Sequence, residues 1–497
     1  MNRTLDRILA RGDPKTTAIV VPNGRRLTYG QLRDQVAVAA ESLAQLGLGR
    51  GDRIALVLPN SPETIVMFLA AATTGTAAPL NPAYKEDEFR FFLQDTQAKA
   101  LVVTPGQGEA ARRALSPGVI LVEARLDGAG IVLESSSPRA RSRSANGPGD
   151  DDEALVLHTS GTTSRPKLVP LRQRNLFASA ENIALTYRLS VDDVAMCVMP
   201  LFHIHGLMAS TMATFSSGGT VVVPPGFDAM AFWPAVRDQG ATWYSAVPTM
   251  HQMLLLRNRG ERPTGAEKLR FIRSSSSALS PETMRQLESR FGAPVLEAYG
   301  MTEASHQMAS NPLPPGDRRP GTVGVETGIR IGVMDEDARL APTAVPGEVV
   351  IMGPTVIDAY ANNPEANASS FTDGWFRTGD QGFVDPDGYL SLVGRLKEMI
   401  NRGGEKIAPR EIDDVLLQHP AVAEVVAFGL LHPAWGEEVA AAVVLKGPAT
   451  EKELIAFARE RLADHKVPKK LYLVEQIPRT ATGKIQRRSV AEAFKIK

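Results

Sequence analysis

The sequence contains a single cysteine, Cys197, among 497 residues. One cysteine excludes an internal disulfide and any metal site built from several thiolates, and it is typical of a reducing compartment. Because Cys197 stands in the apolar run VAMCVMPL, we interpret it as a small core hydrophobe. An excess of one charge sign is also absent, since 55 Lys and Arg balance 55 Asp and Glu, which disfavours a nucleic-acid partner.

Long apolar runs are missing as well. The nearest approach, TIVMFLAAATTGTAAPL, is interrupted by Thr and Gly and falls short of the roughly 18 apolar residues of a membrane span. The first residues, MNRTLDRILARGDPK, lack the apolar core of a signal peptide, and the final FKIK is not an organelle address. We therefore expect a cytoplasmic protein without a membrane partner. We expect a monomer or a homodimer.

Apolar residues alternate between helical and strand spacing along most of the chain. Residues 29–46 have helical periodicity and residues 53–58 form an apolar strand, an order that recurs further on. Such alternation is typical of an α/β protein with largely parallel sheets. We predict an N-terminal domain of residues 1–396, with a β-rich subdomain over about 323–393, and a small C-terminal domain of residues 397–497.

The segment HTSGTTSRPK follows an apolar strand and supplies hydroxyls, a glycine and one cation. This composition suits a polyphosphate, and the carboxyl edge of a parallel sheet is where α/β folds bind ligands. The spacing of a P-loop is absent, because Lys167 follows Pro166 and precedes Leu168. The segment is therefore a phosphate loop of another kind or a polar surface loop.

Four further segments contain candidate functional residues. YGMTEASH places Thr302 beside Glu303, and one carboxylate together with phosphates suits Mg²⁺, although an ordinary turn fits too. In WFRTGDQG, Asp380 is either a ligand for two adjacent hydroxyls, such as those of a ribose, or an Asx-turn residue. Arg395, in GRLKEMINRGGEKIAP, has a rigid guanidinium whose donors could reach a ribose or a phosphate. Lys484, in PRTATGKIQRR, is a catalyst or a solvated tail residue.

The five segments occur in one order, and in that order the whole chain resembles the adenylate-forming superfamily of acyl-CoA synthetases, peptide-synthetase adenylation domains and luciferases. The resemblance implies a large domain of two parallel-rich sheets with helices plus the β-rich subdomain, and a small, mobile α+β C-terminal domain. It implies activation of a carboxylic acid by ATP with Mg²⁺, forming an acyl-adenylate and pyrophosphate, and then transfer to a thiol. Free CoA is the expected acceptor.

The resemblance also assigns roles to individual residues. Lys484 bridges the substrate carboxylate and the α-phosphate, and Lys397 is the hinge about which the C-terminal domain rotates between the two steps. The remaining nucleotide contacts are as follows: Thr159, Ser160, Gly161, Thr162, Thr163 and Lys167 on the β- and γ-phosphates; Thr302 on the α-phosphate; Glu303 on Mg²⁺; Glu297, Ala298 and Tyr299 on the adenine, opposite the wall from Ser274 to Ala278 that includes Ser276; and Asp380 and Arg395 on the ribose.

The segment MPLFHIHGLM bears on the choice of acid. The resemblance makes His203 a gate beside the acyl carbonyl, whereas His205 is either a ligand for a distal carboxylate or a packed core residue. Ser275, Ser276 and His306 add polar groups that a fatty acid would leave unpaired. Together these polar residues favour a small acid, although Ser and His also suit a hydroxylated or aromatic acid.

Six segments resemble plant and fungal oxalyl-CoA synthetases: HTSGTTSRPK, LFHIHG, ATWYSAVPTMHQ, LRFIRSSSSALSP, VLEAYGMTEASHQMASNPLP and NRGGEKIAPREID. Malonyl-CoA synthetases typically have an arginine where this chain has Ala298. A cluster of Ser and His donors would satisfy the short oxalate dianion without that arginine. We therefore expect oxalate or another small acid.

For the CoA phosphates the candidates are Arg402, Lys466, Lys469 and Lys470, which equally fit exposed surface positions. Two alternatives stay open: an adenylation enzyme that passes an aryl or other acid to an amine or a carrier protein, and a non-catalytic nucleotide sensor. One irregularity stands out, since the superfamily most often has Gly where this chain has Leu168. If the loop requires a positive φ at this position, leucine would adopt it poorly and the use of ATP would be weak.

Overall fold

The computed structural model describes residues 2–128, 130–137, 147–159, 166–258, 260–479, 485 and 487–494, with the backbone alone at residue 488. The α-helices are α1 (Leu5–Leu9), α2 (Tyr29–Gln45), α3 (Pro62–Thr74), α4 (Glu86–Asp95), α5 (Glu109–Arg113), α6 (Gln173–Thr186), α7 (Ala213–Ser216), α8 (Phe232–Gln239), α9 (Pro248–Arg257), α10 (Pro281–Phe291), α11 (Pro364–Ser370), α12 (Pro409–Leu416), α13 (Glu451–Arg459) and α14 (Arg487–Phe494). A π-helical segment spans His205–Met212, and short 3₁₀ turns span Ala266–Lys268, Thr302–Ala304 and Leu396–Glu398.

The strands are β1 (Thr17–Val20), β2 (Arg26–Thr28), β3 (Arg53–Val57), β4 (Thr76–Pro79), β5 (Ala100–Val103), β6 (Ile120–Leu126), β7 (Ile131–Glu134), β8 (Glu153–His158), β9 (Leu168–Arg172), β10 (Val194–Met196), β11 (Thr220–Val222), β12 (Trp243–Ala246), β13 (Phe271–Ser274), β14 (Val295–Met301), β15 (His306–Ser310), β16 (Val325–Glu326), β17 (Arg330–Met334), β18 (Gly347–Met352), β19 (Phe371–Thr372), β20 (Trp375–Val384), β21 (Leu390–Arg395), β22 (Ile400–Arg402), β23 (Glu405–Ile407), β24 (Val422–His432), β25 (Gly436–Leu445) and β26 (Lys470–Leu473). The predicted helix 29–46 and strand 53–58 correspond to α2 and β3.

Two large sheets are mainly parallel, as the alternation predicts. Within the described residues the first has the order β16-β15-β14-β13-β12-β10-β11-β1-β2, with antiparallel strands only at its edges. The second has the order β7-β6-β5-β3-β4-β8-β9, again with antiparallel edge strands. The main hydrophobic core contains α3 and residues of both sheets. The predicted α/β class with two parallel-rich sheets is confirmed.

Two smaller sheets follow along the chain. An antiparallel sheet of β17 to β21 falls in the predicted β-rich region. A second, β23-β22-β25-β24 with β26 beside β25, has its own apolar core with α12 and α13. The domain boundary at residue 397 stays a prediction. In the described part of the chain no helix is long and apolar enough to cross a bilayer.

Local signals define where the helices beside the site begin and end. The Ser280 hydroxyl accepts a hydrogen bond from the Thr283 amide at 3.1 Å, and Pro281 fits the first turn of α10. Gly292 ends that helix with φ 67°. Cys197 has no exposed surface, and burial raises the pKa of its thiol to about 11, in line with an unreactive core residue.

Candidate active site

The carboxyl ends of three neighbouring parallel strands, β12, β13 and β14, meet at one edge of the first sheet. Their register places Ser245 opposite Arg273 and Ser274 opposite Glu297. After β14 the chain turns through Thr302–Ala304 and returns as β15, which begins at His306. Residues far apart in sequence therefore share one edge, the usual place for a ligand in an open α/β sheet.

The Ser/Thr/Gly loop joins β8 to β9. Its ends are closed by a hydrogen bond from the Thr159 amide to the Lys167 carbonyl at 2.9 Å. Ser160, Gly161, Thr162 and Thr163 lie outside the described residues. Leu168 pairs with His158 in the β8–β9 ladder and is buried against Ala78 and Val156. Its φ is not positive, so the leucine fits its backbone conformation without strain.

Lys167 and Glu303 both contact Tyr360. The Lys167 ammonium is 4.3 Å from the centre of the Tyr360 ring, and the Tyr360 hydroxyl donates to Glu303 Oε1 at 2.8 Å. Burial lowers the pKa of Lys167, a shift that Glu303 opposes and Lys397 reinforces. Burial, with Glu303 second, raises the pKa of Tyr360, so its hydroxyl stays a donor. The arrangement holds one cation and one carboxylate beside the loop.

A second charged group joins Asp380 of β20, Arg395 of β21 and Tyr299 of β14. The Arg395 Nε lies 2.7 Å from Asp380 Oδ1, and the two residues are cross-strand neighbours. The Tyr299 hydroxyl donates to the other oxygen of Asp380. Burial, followed by the charge of Asp380, raises the pKa of Tyr299. The three residues therefore fix the orientation of one buried carboxylate.

Glu297 is a buried carboxyl with an unused hydrogen-bonding atom. Its Oε1 accepts from the Leu279 amide at 2.9 Å, whereas Oε2 has no hydrogen-bond partner among the described residues. Burial raises its pKa to about 7, although Arg410 lowers it. Ala298 beside it is also buried, whereas Ala278 is exposed. The amino group of a ligand could donate the hydrogen bond that Glu297 Oε2 does not receive from the protein.

The residues expected to bind the acid form a cluster around Arg273. His205 and His306 have ring centres 5.0 Å apart, and Arg273 has no exposed surface. His205 Nε2 lies 2.6 Å from Ser245 Oγ, and its Nδ1 lies 3.0 Å from Ser276 Oγ. Sequence reasoning counted on Ser and His donors alone, and the structure adds a buried guanidinium.

Two residues of this cluster have unusual backbone conformations. Ser276 has φ 72° and His306 has φ 109°, values that favour glycine. Space for His306 depends on Gly300, because a Cβ there would lie 2.1 Å from the His306 carbonyl oxygen. Strain of this kind is concentrated at functional sites.

Other predicted residues lie beside the cluster. His203 is half-buried, and its Nδ1 accepts from the His205 amide at 3.2 Å. Ser275 is buried, with an Oγ that makes no hydrogen bond to any described residue. Burial, with the charge of Arg273 contributing, lowers the pKa of both His205 and His306 well below its usual range. Both imidazoles are therefore neutral.

The C-terminal candidates have a different environment. Lys484 lies outside the described residues, and Lys397 is exposed within the turn after β21. The basic residues proposed for CoA are mostly paired with glutamates: Arg402 with Glu438 at 2.6 Å, Lys466 with Glu411 at 2.7 Å and Lys470 with Glu451 at 3.3 Å. A phosphate would have to displace these partners.

Sequence reasoning missed three residues of the site: Arg273, Ser245 and Tyr360. For Arg273 a signal exists, because a charge interrupts the apolar strand FIRS, and arginine is almost never fully buried without a partner. Ser245 and Tyr360 lie in segments without a motif. Only the strand register and the path of the chain after β18 bring them to the site.

Comparison with known proteins places the chain among relatives of similar length. The model of the AMP-binding enzyme family matches residues 7–361, and that of the AMP-binding enzyme C-terminal domain matches residues 411–484. The chain is 48% identical to the probable CoA ligase CCL9 of Humulus lupulus, over 96% of this chain and 93% of the relative. It is 45% identical to an oxalate–CoA ligase of Arabidopsis thaliana, over 98% and 97%.

Among solved structures, the ATP-bound MatB from Rhodopseudomonas palustris superposes with a TM-score of 0.90. It is 32% identical in sequence, and the match covers 100% of this chain and 99% of that chain. Both sheets and the C-terminal unit are therefore shared with a protein solved with ATP.

Leu168 should not impair binding of ATP. We expect Leu168→Gly to leave the KM for ATP within about twofold of wild type, because the backbone is already extended, and to lower stability by about 3 kcal/mol through loss of buried contacts. Pyrophosphate-release kinetics and urea unfolding measure the two effects. A gain in ATP use would show that the loop needs glycine.

The buried carboxyl of Glu297 should make stability depend on pH. Its pKa is about 7 when folded against an ordinary 4.5, so folding favours the protonated form. The contribution of Glu297 to stability is therefore full below about pH 4.5 and falls by about 3 kcal/mol as pH rises to about 7. Glu297→Gln should remove this fall.

Urea unfolding of wild type and Glu297→Gln at about pH 5 and about pH 8 measures the difference. Glu336→Gln, at an exposed position, is the control and should keep the wild-type profile. An identical loss of stability in Glu297→Gln and wild type would contradict the assignment.

Proposed function

Because the chain belongs to the family of AMP-binding enzymes, we propose that it is an acid–thiol ligase that activates oxalate with ATP and transfers the oxalyl group to CoA. In the first step an oxalate oxygen attacks the α-phosphorus of ATP, the bond between the α- and β-phosphates breaks, and pyrophosphate leaves. In the second step the CoA sulfur attacks the acyl carbon of oxalyl-adenylate, and AMP leaves as the thioester forms.

The observation that carries oxalate is the fully buried donor cluster of Arg273, His205 and His306. A long alkyl chain would leave the positive charge of Arg273 without a counter-charge in a dry site, at a cost of several kcal/mol. A second carboxylate supplies that counter-charge. The near full-length similarity to an oxalate–CoA ligase supports the same substrate.

The nucleotide is expected to lie along the edge from the loop to β20. Asp380, held by Tyr299 and Arg395, accepts from the ribose hydroxyls, and the free Oε2 of Glu297 accepts from the adenine amino group. The Ser/Thr/Gly loop and Lys167 neutralise the β- and γ-phosphates, and Thr302 contacts the α-phosphate. Catalysis on this arrangement is positional and electrostatic.

Glu303 is the proposed ligand for Mg²⁺. Its carboxylate is fixed by Tyr360 beside Lys167, and the described residues contain no group of three metal-ligating side chains. A single carboxylate plus nucleotide phosphates is a set of ligands that Mg²⁺ accepts. When bound, the ion would neutralise phosphate charge.

The balanced charge and the single cysteine of the sequence support a cytoplasmic location for the enzyme.

The function is tested by pyrophosphate release across oxalate, malonate, benzoate and hexadecanoate, with and without CoA. We expect kcat/KM for oxalate to exceed that for the other acids by roughly a hundredfold, because malonate is one methylene longer and the two monocarboxylates lack the second charge. An aryl acid used in preference to oxalate would overturn the substrate. Release of AMP only with an amine or a holo-carrier protein would favour the other adenylation enzymes, and no turnover of any acid would favour a sensor.

Lys484 should act in the first step alone. We expect Lys484→Ala to lower the rate of adenylate formation by roughly a hundredfold or more, because one stabilising charge is removed, and to leave the reaction of synthetic oxalyl-adenylate with CoA near the wild-type rate. Lys452→Ala, on exposed surface of α13, is the control. Equal loss of both half-reactions in Lys484→Ala would contradict rotation of the C-terminal domain between steps.

A further inference from the structure

Arg273 is a buried cation that forms no salt bridge with any described carboxylate. Its described hydrogen-bond acceptors are neutral, and the shortest contacts are the Tyr187 hydroxyl at 2.9 Å from Nε, Ser245 Oγ at 2.9 Å from Nη1 and Gln307 Oε1 at 3.0 Å from Nη2. The neutral rings of His205 and His306 lie further away, each with one nitrogen 3.4 Å from the guanidinium. Burial of an unpaired charge is costly, so charged side chains are rarely enclosed without an anion. An anionic ligand near the strand edge would provide the missing counter-charge.

The guanidinium sets the direction of a chain of hydrogen bonds. Arginine only donates, so Ser245 Oγ accepts from Nη1 and has its own proton left for His205 Nε2, 2.6 Å away. His205 therefore carries its proton on Nδ1 and donates it to Ser276 Oγ at 3.0 Å. The Ser276 hydroxyl proton is then directed away from His205.

The same guanidinium fixes the second imidazole. Arg273 Nη2 lies 3.4 Å from His306 Nδ1, which acts as the acceptor. The proton of the neutral His306 ring therefore resides on Nε2. Both ends of the network, Ser276 and His306, have positive φ values, a conformation that persists only because the surrounding structure holds it.

We propose that Arg273, acting through Ser245 and His205, is a positioning residue that makes Ser276 and His306 present donors to the distal carboxylate of the acid. This inference rests on the proposed function, because it concerns the second carboxylate of that substrate. The guanidinium also supplies the positive charge, while both imidazoles stay neutral. Arg273 thereby selects a dicarboxylate over a monocarboxylate.

Ser245→Ala tests the network at its first link and removes only one buried oxygen. Without the Ser245 hydroxyl, His205 Nε2 loses its 2.6 Å hydrogen bond and keeps only the long 3.4 Å contact with Arg273 Nη1. The tautomer with its proton on Nδ1 is then weakly held, so a lone pair of His205 can turn toward Ser276, whose hydroxyl then donates to it. We expect KM for oxalate to rise roughly tenfold or more, with kcat and KM for ATP within about twofold of wild type. Ser210→Ala, a buried serine of the π-helical segment whose hydroxyl makes no described hydrogen bond, is the matched control.

A charge-removing variant adds a second readout. In Arg273→Met one of the causes that keep the imidazoles neutral is removed while burial remains, and a bound dianion favours their protonation. KM for oxalate in this variant should therefore fall as pH is lowered from about 8 to about 6, whereas wild type should show no such fall. Arg273→Lys, which keeps the charge, should recover part of the affinity without this pH dependence. Among the described residues, the titratable and charged groups that act on the two imidazoles are Arg273, His203 and His251, together with the other imidazole of the pair.

The outcomes separate the inference from the function. Wild-type protein that does not turn over oxalate would overturn the proposed function and, with it, the inference. Wild type that uses oxalate while Ser245→Ala keeps its KM would overturn the inference alone. A parallel rise in the KM of oxalate and of ATP in Ser245→Ala, but not in Ser210→Ala, would show a structural role for Ser245 and would also overturn it.

Discussion

The register of the parallel strands β12, β13 and β14 is the constraint on which the site depends. It places Ser245 beside Arg273 and Ser274 beside Glu297, so polar groups from three strands end at one sheet edge. A shift of one residue in any of them would turn these side chains to the opposite face. The antiparallel return of β15 then brings His306 opposite Met301 and completes the cluster.

Two tyrosines organise the charged groups along the same edge. Tyr360 donates to Glu303 and contacts Lys167, and Tyr299 donates to Asp380 beside Arg395. Burial raises the pKa of both phenols, so each remains a donor that holds a carboxylate in one orientation. Preorganised carboxylates of this kind need little rearrangement when a nucleotide binds, which is the basis of electrostatic catalysis.

The sequence allowed the α/β class, the two parallel-rich sheets and the positions of the motifs to be predicted, because periodicity and strand-end loops are local signals. Leu168 is predictable only as an irregularity, since its partners Ala78 and Val156 come from other strands. Ser245 and Tyr360 have no local signal at all, because long-range pairing creates their roles. Local composition reveals that a side chain is unusual, and tertiary contacts determine what it does.

Charge balance explains why Arg273 suits a dicarboxylate. Burial and the guanidinium together keep His205 and His306 neutral, so the cluster has one positive charge. A small dicarboxylate has one negative charge more than a monocarboxylate. That extra charge supplies the counter-charge that the guanidinium does not have in the protein. A monocarboxylate would leave the cation unpaired in a dry site, whereas two protonated imidazoles would leave it overcharged. The single arginine and its neutral relay therefore match the second carboxylate in both charge and hydrogen-bond direction.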